Sequence, residues 1–511
     1  MSYSSTRGLA VLAMLGGVAM AGGQANAAPA VACESLTQPG LFTDTTITSA
    51  AIVSAEGDIP EHCRVTGVIQ PTPGSRIGVE FRLPNEWNGK FLGIGGGGFG
   101  GAISPANFRD GLRRGYAAAQ TDIGHSANDD EWPIYGPGQP NEDAVRDYAW
   151  RSVRLMTTVG KEVAKYYGGR APERSYWFGC STGGRQGFLQ AQRFPEEYDG
   201  IVAGAPVYSN RTQARSVYRD NLLWNEETGY SLPAAKLPLV TKAVTEACDG
   251  DDGVKDGIIG NPAQCNWDPA SIQCKDGSDI SQCLTPVEVK TLNLFYDGVR
   301  LADGTLYYPG QPKGSDIGWA SAISKYQPQA RGQIMWRLMI HSDPAIEPLT
   351  SFDLDRDLKV WNDALVSREG NAEDPDISAF VKRGGKMILY HGWNDPTISA
   401  YATIGYYNDV EKTLGAHKGM GWTDPAKQLR ESARLFLAPG MDHCRGGIGP
   451  NSFDTLTALE NWVEKGEAPD QIVATNSETK MSRPLCPYPQ VAVYSGTGDT
   501  NDAANFSCGN P

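Results

Sequence analysis

The stretch Gly179-Cys180-Ser181-Thr182-Gly183 has the pattern G-x-S-x-G, with a cysteine directly before the serine. It follows a run typical of a strand, residues 175–178, and precedes a run typical of a helix. A sharp turn at such a place presents a serine hydroxyl at the carboxyl edge of a sheet. Because a serine hydroxyl is a weak nucleophile until a base takes its proton, the pattern predicts Ser181 as a nucleophile that needs a histidine and a carboxylate.

The chain has six histidines, and His443 follows a strand-like apolar run late in the sequence. Asp395 follows the preceding strand-like run. Ser181, Asp395, His443 is the chain order that α/β-hydrolases use, and loops after parallel strands meet at one edge of a sheet. His391 is the rival base and Asp442 the rival acid. We favour His443 and Asp395, because His391 lies at a strand end and because adjacent loop side chains such as Asp442 and His443 tend to diverge.

Ten cysteines, an even number, suit a disulfide framework in an oxidising compartment. Three pairs are close enough in sequence to close short loops: Cys248/Cys265, Cys274/Cys283 and Cys486/Cys508. A fourth pair, Cys33/Cys63, is expected to tie down the N-terminus of the mature chain. Cys180 and Cys444 remain, and a bond between them would bring their Cα atoms to about 4.4–6.8 Å and hold Ser181 close to His443. Two interpretations stay open beside it, in which Cys180 is itself the nucleophile or is a buried inert thiol. Both leave Cys444 unpaired.

A tetrahedral intermediate at a serine needs N–H donors for its oxyanion. The expected donors are the backbone N–H of Thr182 and one N–H from the glycine-rich run that begins at Gly95, where we single out Gly98 and Phe99. The other interpretation of these glycines is a flexible turn.

The surrounding elements alternate between strand and helix patterns, which predicts an α/β fold with a parallel sheet. We assign residues 28–206 and 384–511 to one α/β domain, and residues 207–383, which are irregular and rich in Trp, Tyr, Asp, Gly and Pro, to an inserted lid. Two sequential domains are the alternative, but they leave the strand-like runs at 386–390 and 434–437 without a sheet.

The net charge of −14 and the lack of a Lys/Arg run argue against nucleic acid or an anionic membrane as a main partner. The N-terminus carries Arg7, an apolar run at 9–20 and Ala25-Asn26-Ala27, which together predict a signal peptide over residues 1–27. A membrane anchor is the alternative, although the apolar run is short for a span. The expected location is therefore periplasmic or secreted.

The pairs Cys180-Ser181 and His443-Cys444, together with Asp395, resemble the tannase and feruloyl esterase family. The resemblance extends to GCSTGGRQG, AQRFPEEYDGIVAGAP and HGWND, and covers nearly the whole chain after residue 27. It implies an α/β-hydrolase fold with a large inserted lid and hydrolysis of esters of aromatic acids. Feruloyl esterase activity is the first expectation, followed by hydrolysis of mono(2-hydroxyethyl) terephthalate and of galloyl esters.

The resemblance also implies a structural Ca²⁺ in the lid and no organic cofactor. The implied ligands are the side chains of Asp249, Asp252 and Asp256 and the carbonyls of Val254 and Ile258. Oxygen donors of this kind suit Ca²⁺, although the loop is not an EF-hand, because Gly260 stands where a bidentate Glu is expected. The other interpretation is a solvated acidic turn braced by Cys248/Cys265.

Lid side chains are expected to form the acyl pocket for a small aromatic ester. Trp319, Tyr326 and Trp336 are candidates to stack on the ring, and core packing is the competing interpretation for each. Arg331 and Arg337 are candidates to bind a substrate carboxylate. From other functional classes, a catalytically silent binding protein on the same fold and a peptidase with the same triad stay open.

Overall fold

The computed structural model describes Met1 and residues 28–510. Apart from Met1, the predicted signal peptide lies outside the described residues. Within the described part, none of the helices is long and apolar enough to cross a membrane.

The described chain is built around a nine-stranded sheet in the order β1-β2-β3-β5-β4-β6-β7-β8-β9. Its strands are β1 Thr45–Val53, β2 His62–Ile69, β3 Ile77–Pro84, β4 Lys90–Ile94, β5 Ala117–Thr121, β6 Arg174–Cys180, β7 Gly200–Gly204, β8 Lys386–Gly392 and β9 Ala433–Ala438. The neighbouring pairs β1–β2, β2–β3 and β3–β5 are antiparallel. The other neighbouring pairs, β5–β4, β4–β6, β6–β7, β7–β8 and β8–β9, are parallel. The predicted α/β-hydrolase fold is confirmed, and the returning strands β8 and β9 complete the sheet.

Some of the helices cover the two faces of the sheet, and others belong to the segment between β7 and β8. In chain order they are α1 Arg109–Arg113, α2 Glu142–Arg146, α3 Ser152–Gly168, α4 Thr182–Arg193, α5 Arg211–Trp224, α6 Leu237–Cys248, α7 Pro286–Tyr296, α8 Ala320–Ser324, α9 Arg331–Ile334, α10 Pro348–Ser351, α11 Leu354–Asp363, α12 Leu365–Gly370, α13 Ser378–Lys382, α14 Ala400–Ala416, α15 Pro425–Arg430 and α16 Thr455–Lys465. Buried residues of α3, α4 and α14 share one core, and those of α1 and α16 share the other. Parallel strands buried on both faces explain the continuous apolar runs of β7 and β8.

Within residues 28–510, four short two-stranded ribbons lie outside the main sheet. They pair Ile134–Gly136 with Gln139–Pro140, Val299–Arg300 with Leu306–Tyr308, Ile472–Thr475 with Ser482–Leu485, and Val491–Tyr494 with Phe506–Gly509.

The segment between β7 and β8 is more helical than its irregular sequence pattern indicates. It contains α5 to α13, whereas its two short strands pair only with each other. The longest of these helices, α5, shows no clear hydrophobic periodicity in the sequence, because its buried side is largely polar. The buried polar residues are Thr212, Gln213, Arg215, Arg219 and Asp220. An apolar stripe is what sequence periodicity detects, and α5 does not have one.

This inserted segment has a small hydrophobic core of its own, whose members lie between Leu232 and Ile323. Its later part joins the main core, because Trp336 and Trp361 belong to the same cluster as the sheet residue Leu389. The division at residues 207 and 383 stays a prediction.

Candidate active site

Ser181 occupies the turn between β6 and α4 with a left-handed φ of 62°. Its N–H donates a hydrogen bond to the carbonyl of Gly204 on β7 at 2.9 Å. The flanking glycines are required by close packing: a Cβ at Gly179 would lie 2.5 Å from the carbonyl oxygen of Gly183. The G-x-S-x-G stretch thus forms a tight strand-to-helix turn that holds the candidate nucleophile in a strained backbone conformation.

His443 and Asp395 meet at the same edge of the sheet, on the loops that follow β9 and β8. The Nδ1 of His443 donates to Oδ2 of Asp395 at 2.6 Å. The Asp395 side chain is fully buried, whereas that of His443 is 28% exposed. Because Nδ1 of His443 is engaged by the carboxylate, Nε2 is the ring nitrogen left to accept a proton.

His391 contacts the same carboxylate from the other side. Its Nε2 lies 3.1 Å from Oδ2 of Asp395, and its Nδ1 lies 2.7 Å from the hydroxyl of Thr403. Since a carboxylate only accepts, Nε2 of His391 carries the proton and Nδ1 accepts from Thr403. His391 is completely buried. It therefore orients Asp395 from behind, while the partly exposed His443 faces outward.

Burial acts to raise the pKa of Asp395, but the hydrogen bonds and charges of His391 and His443 outweigh it and hold the pKa well below its ordinary value. Backbone N–H groups of Thr397 and Ile398 donate to its Oδ1 at 2.8 and 2.9 Å. Four donors therefore keep this buried carboxylate ionised.

The inserted segment holds the loop that carries Asp395. The amide of Gln311 donates to the carbonyl of Pro396 at 2.7 Å, and Arg215 donates to that of Thr397 at 2.6 Å. Asn394, next to Asp395, donates to the carbonyl of Gly314 at 3.0 Å. The position of Asp395 thus depends on residues from the segment between β7 and β8.

Within residues 28–510, five disulfide bonds join the pairs anticipated from the sequence: Cys33–Cys63, Cys180–Cys444, Cys248–Cys265, Cys274–Cys283 and Cys486–Cys508. The Cα atoms of Cys180 and Cys444 are 6.0 Å apart. Since both thiols are consumed in this bond, Cys180 is neither a free nucleophile nor an inert thiol.

The glycine-rich run after β4 lies against the turn at Ser181. The hydroxyl of Thr182 donates to the carbonyl of Gly98 at 2.6 Å, and Gln186 accepts from the N–H of Gly96 at 3.0 Å. Gly98 has a φ of +61°, which glycine adopts without strain. The Phe99 ring packs edge-on against Tyr148.

A cavity of about 870 Å³ opens above these residues and is lined by Ser181, Thr182, Gly98 and His443. Of the five side chains predicted to contact the substrate, only Arg331 is among the lining residues of this cavity. Trp319 lies in the core of the insertion, stacked on Phe295 and 1% exposed. Core packing, the competing interpretation, therefore holds for Trp319.

The other predicted contacts also lie elsewhere. Trp336 is 2% exposed and packs on Phe352 and Trp361. The guanidinium of Arg337 donates to the carbonyls of Pro328 and Pro344. The hydroxyl of Tyr326 donates to Glu347 at 3.1 Å, outside the cavity lining. Large aromatic or cationic side chains in the insertion are reasonable candidates from the sequence, but these three side chains contact neighbouring residues of the protein and do not line the cavity.

Sequence reasoning missed the helix that forms a wall of the cavity. Thr212, Gln213 and Ser216 of α5 line it, together with Thr397 and Ile398 from the Asp395 loop. No local signal in the sequence marked this wall, because α5 lacks the apolar stripe from which a helix and its buried side are recognised.

The chain matches the family described as "Tannase and feruloyl esterase" over residues 63–509. It belongs to this family of carboxylic ester hydrolases. The mono(2-hydroxyethyl) terephthalate hydrolase of Piscinibacter sakaiensis is 34% identical to this chain over 541 aligned positions. The alignment covers 91% of this chain and 87% of the relative. A probable feruloyl esterase B-1 of Aspergillus flavus is 31% identical, covering 87% of this chain and 86% of the relative. The crystal structure of feruloyl esterase B from Aspergillus oryzae superposes with a TM-score of 0.84 at 27% identity, covering 93% of this chain and 99% of that one.

The loop implied to bind Ca²⁺ brings acidic side chains together in the esterase. Burial and the neighbouring carboxylates Asp256 and Asp249 raise the pKa of Asp252 to about 6. Oδ1 of Asp249 accepts from the N–H groups of Gly257 and Ile258 at 2.9 and 3.1 Å, and Asp256 forms an ion pair with Arg483. In the part of the chain that the structure describes, no group of three or more His, Cys, Asp or Glu side chains is arranged to hold a metal ion. The carboxylate and carbonyl oxygens of the loop are the kind of donor that a hard cation prefers, but three of its acidic side chains are not gathered into a metal-binding arrangement, and Arg483 neutralises part of their charge.

Proposed function

We propose that the protein is an exported serine esterase that hydrolyses esters of hydroxycinnamic-type aromatic acids, in the first place a feruloyl esterase. The observation that carries this proposal is the 2.6 Å hydrogen bond between His443 and Asp395, on a cavity that also exposes Ser181. The cavity is large enough for an aromatic acyl group, and feruloyl esterases are among the relatives. The ten paired cysteines and the predicted signal peptide support export.

In the proposed reaction, Nε2 of His443 takes the proton of the Ser181 hydroxyl while Oγ attacks the ester carbonyl carbon. The imidazolium that forms is stabilised by Asp395, and its proton then passes to the departing alcohol oxygen as the ester bond breaks. The product is an acyl-enzyme on Ser181. Water, deprotonated by His443, attacks this second ester and releases the acid, and Ser181 regains its proton.

The N–H of Thr182 and an N–H of the run at Gly98 and Phe99 are proposed to bind the oxyanion. The hydrogen bond from the Thr182 hydroxyl to the Gly98 carbonyl supports this assignment, because it keeps the two donors adjacent. Preorganised donors of this type need no reorganisation when charge develops, and losing one costs about 10²–10³ in kcat.

Residues 207–383 are proposed to act as a lid that shapes the acyl pocket. The loop of Asp249, Asp252 and Asp256, with the carbonyls of Val254 and Ile258, is proposed to hold Ca²⁺. When bound, the ion would neutralise the neighbouring carboxylates. Its contribution is to the stability of the lid, since His443 already serves to activate water.

The proposal is tested by the turnover of methyl ferulate, methyl gallate and mono(2-hydroxyethyl) terephthalate by the mature protein and by Ser181→Ala. We expect methyl ferulate to be preferred and all turnover to be lost in the variant. Failure to hydrolyse any ester would favour a binding role on the same fold. Turnover of a matched anilide with no turnover of esters would favour a peptidase, and activity that survives in Ser181→Ala would exclude this nucleophile.

Hydrolysis of mono(2-hydroxyethyl) terephthalate is the second candidate. The observation that favours it is the exposed guanidinium of Arg331 on the cavity, since this substrate carries a free carboxylate. If this monoester is the substrate, Arg331→Gln should raise its KM about tenfold or more and leave methyl ferulate nearly unaffected. A galloyl preference would instead appear as faster turnover of methyl gallate.

A further inference from the structure

Helices α5 and α9 both contribute residues to the lining of the cavity that includes Ser181. The two helices are in close contact, because a Cβ at Gly332 would lie 2.7 Å from the carbonyl oxygen of Gln213. Arg331 of α9 also reaches the glycine-rich run, where a Cβ at Gly98 would lie 2.6 Å from its Nη2. Gln213 and Arg331 therefore belong to the lining of the same cavity as Ser181.

Most polar side chains of this wall already have partners. The hydroxyl of Thr212 donates to Tyr308 at 3.2 Å, and that of Ser216 donates to the carbonyl of Thr212 at 2.9 Å. At the rim, the amide of Gln327 donates to the carbonyl of Ser321 at 2.9 Å. These groups are satisfied before any ligand enters.

Gln213 differs from them. It is 7% exposed, and its Oε1 is buried without a hydrogen-bond partner among the described residues. A buried polar atom left unpaired costs about 1–3 kcal/mol and is satisfied by a ligand, a water or an ion. Several side chains of the described residues have such an atom, but of these only Gln213 lines the cavity. Because the carboxamide of Gln213 belongs to a residue that lines the substrate cavity, a ligand is the partner that suits it.

We propose that Gln213 determines specificity by binding a hydroxyl group on the aromatic ring of the acyl moiety. This inference rests on the proposed esterase function and adds the ring substituent that the cavity selects. A phenolic hydroxyl both donates and accepts, so it pairs with either end of the amide, whichever faces the ring after a half-turn of the terminal group. An unsubstituted ring offers neither a donor nor an acceptor, and a carboxylate can pair only with the N–H end of the amide, which leaves the Oε1 acceptor unpaired. The substrates favoured by Gln213 are therefore hydroxylated aromatic acids.

The test compares methyl esters of cinnamic, 4-hydroxycinnamic and ferulic acid, which differ in ring substituents alone. Gln213→Leu is expected to lower kcat/KM for the two hydroxylated esters about tenfold or more and to leave methyl cinnamate within about twofold, because a site built to bind a hydroxyl discriminates through that bond. Gln213→Glu keeps an acceptor at the same reach and should retain the preference for a hydroxyl. Gln327→Leu makes the same chemical change at the rim, where the amide is already paired, and should keep the wild-type ratios.

A second experiment measures ligand binding and does not depend on ester hydrolysis. In the Ser181→Ala background, the affinity for methyl ferulate over methyl cinnamate is measured by calorimetry with and without Gln213→Leu. A preference for ferulate that disappears with Gln213 supports the proposal even if no ester is hydrolysed, in which case the esterase function alone fails. Equal loss of kcat/KM on all three esters, or a binding preference unchanged by Gln213→Leu, would overturn it and leave Gln213 as a packing residue.

Discussion

Cys180 and Cys444 are joined by a disulfide bond although 264 residues separate them in the sequence. Cys180 directly precedes Ser181 and Cys444 directly follows His443. The bond thus links the turn after β6 to the loop after β9, two places that the sheet separates by β7 and β8. It limits how far the candidate nucleophile and base can move apart.

Replacing both cysteines by alanine should lower kcat by about tenfold or more and lower the free energy of unfolding by about 2–5 kcal/mol. The physical reason is that the His443 loop loses its covalent restraint and samples conformations that are not productive. Cys274→Ala with Cys283→Ala is the matched control, since that bond closes a short exposed loop. A normal kcat in the first double variant, or an equal loss in the control, would show that the bond acts on stability alone.

Asp395→Asn should reduce kcat by about 10⁴-fold with little change in the fold, because an amide does not stabilise the imidazolium and favours the wrong tautomer of His443. Asp442→Asn changes the same chemical group in the neighbouring loop and should retain most activity. Steady-state kinetics together with circular dichroism separate the two. If Asp442→Asn were the more damaging change, the acid would be assigned to Asp442.

His391→Leu removes one of the donors that lower the pKa of Asp395. We expect a loss of about 1–3 kcal/mol in the free energy of unfolding at neutral pH and a smaller loss of kcat than His443→Ala causes. A carboxyl whose pKa is lowered by folding stabilises the protein above its unfolded pKa of about 3.9, and this contribution is lost as the pH falls.

The difference in stability between wild type and His391→Leu should therefore be largest near pH 7 and shrink below about pH 4. Denaturant unfolding at several pH values measures it. A difference that stays constant with pH would mean that His391 contributes packing and not the ionisation of Asp395.

Removal of Ca²⁺ by EGTA should lower the Tm if the acidic loop holds the ion. A ligand at a hundredfold excess over its Kd contributes about 2.7 kcal/mol, which corresponds to about 2–3 °C for a chain of this size. Asp252→Asn should abolish this response, whereas Asp251→Asn, an exposed residue of the same loop outside the proposed ligands, should preserve it. An unchanged Tm in EGTA would indicate that Arg483 alone neutralises the loop.

Much of this molecule was predictable from local patterns. Apolar runs at residues 200–204 and 386–390 marked β7 and β8, because strands buried on both faces must be apolar throughout. The G-x-S-x-G pattern marked the turn at Ser181, since only glycine permits the contact between residues 179 and 183. Even the pairing of Cys180 with Cys444 followed once the other eight cysteines were matched by proximity.

The tertiary structure alone decided what surrounds these residues. Sequence could not show that His391 and His443 share one carboxylate, nor that Trp319 and Trp336 are core residues while Gln213 lines the cavity. Residue type and spacing report on local geometry, whereas these contacts depend on how the inserted segment folds back over the sheet. A polar helix face such as that of α5 acquires its meaning only from the cavity it meets.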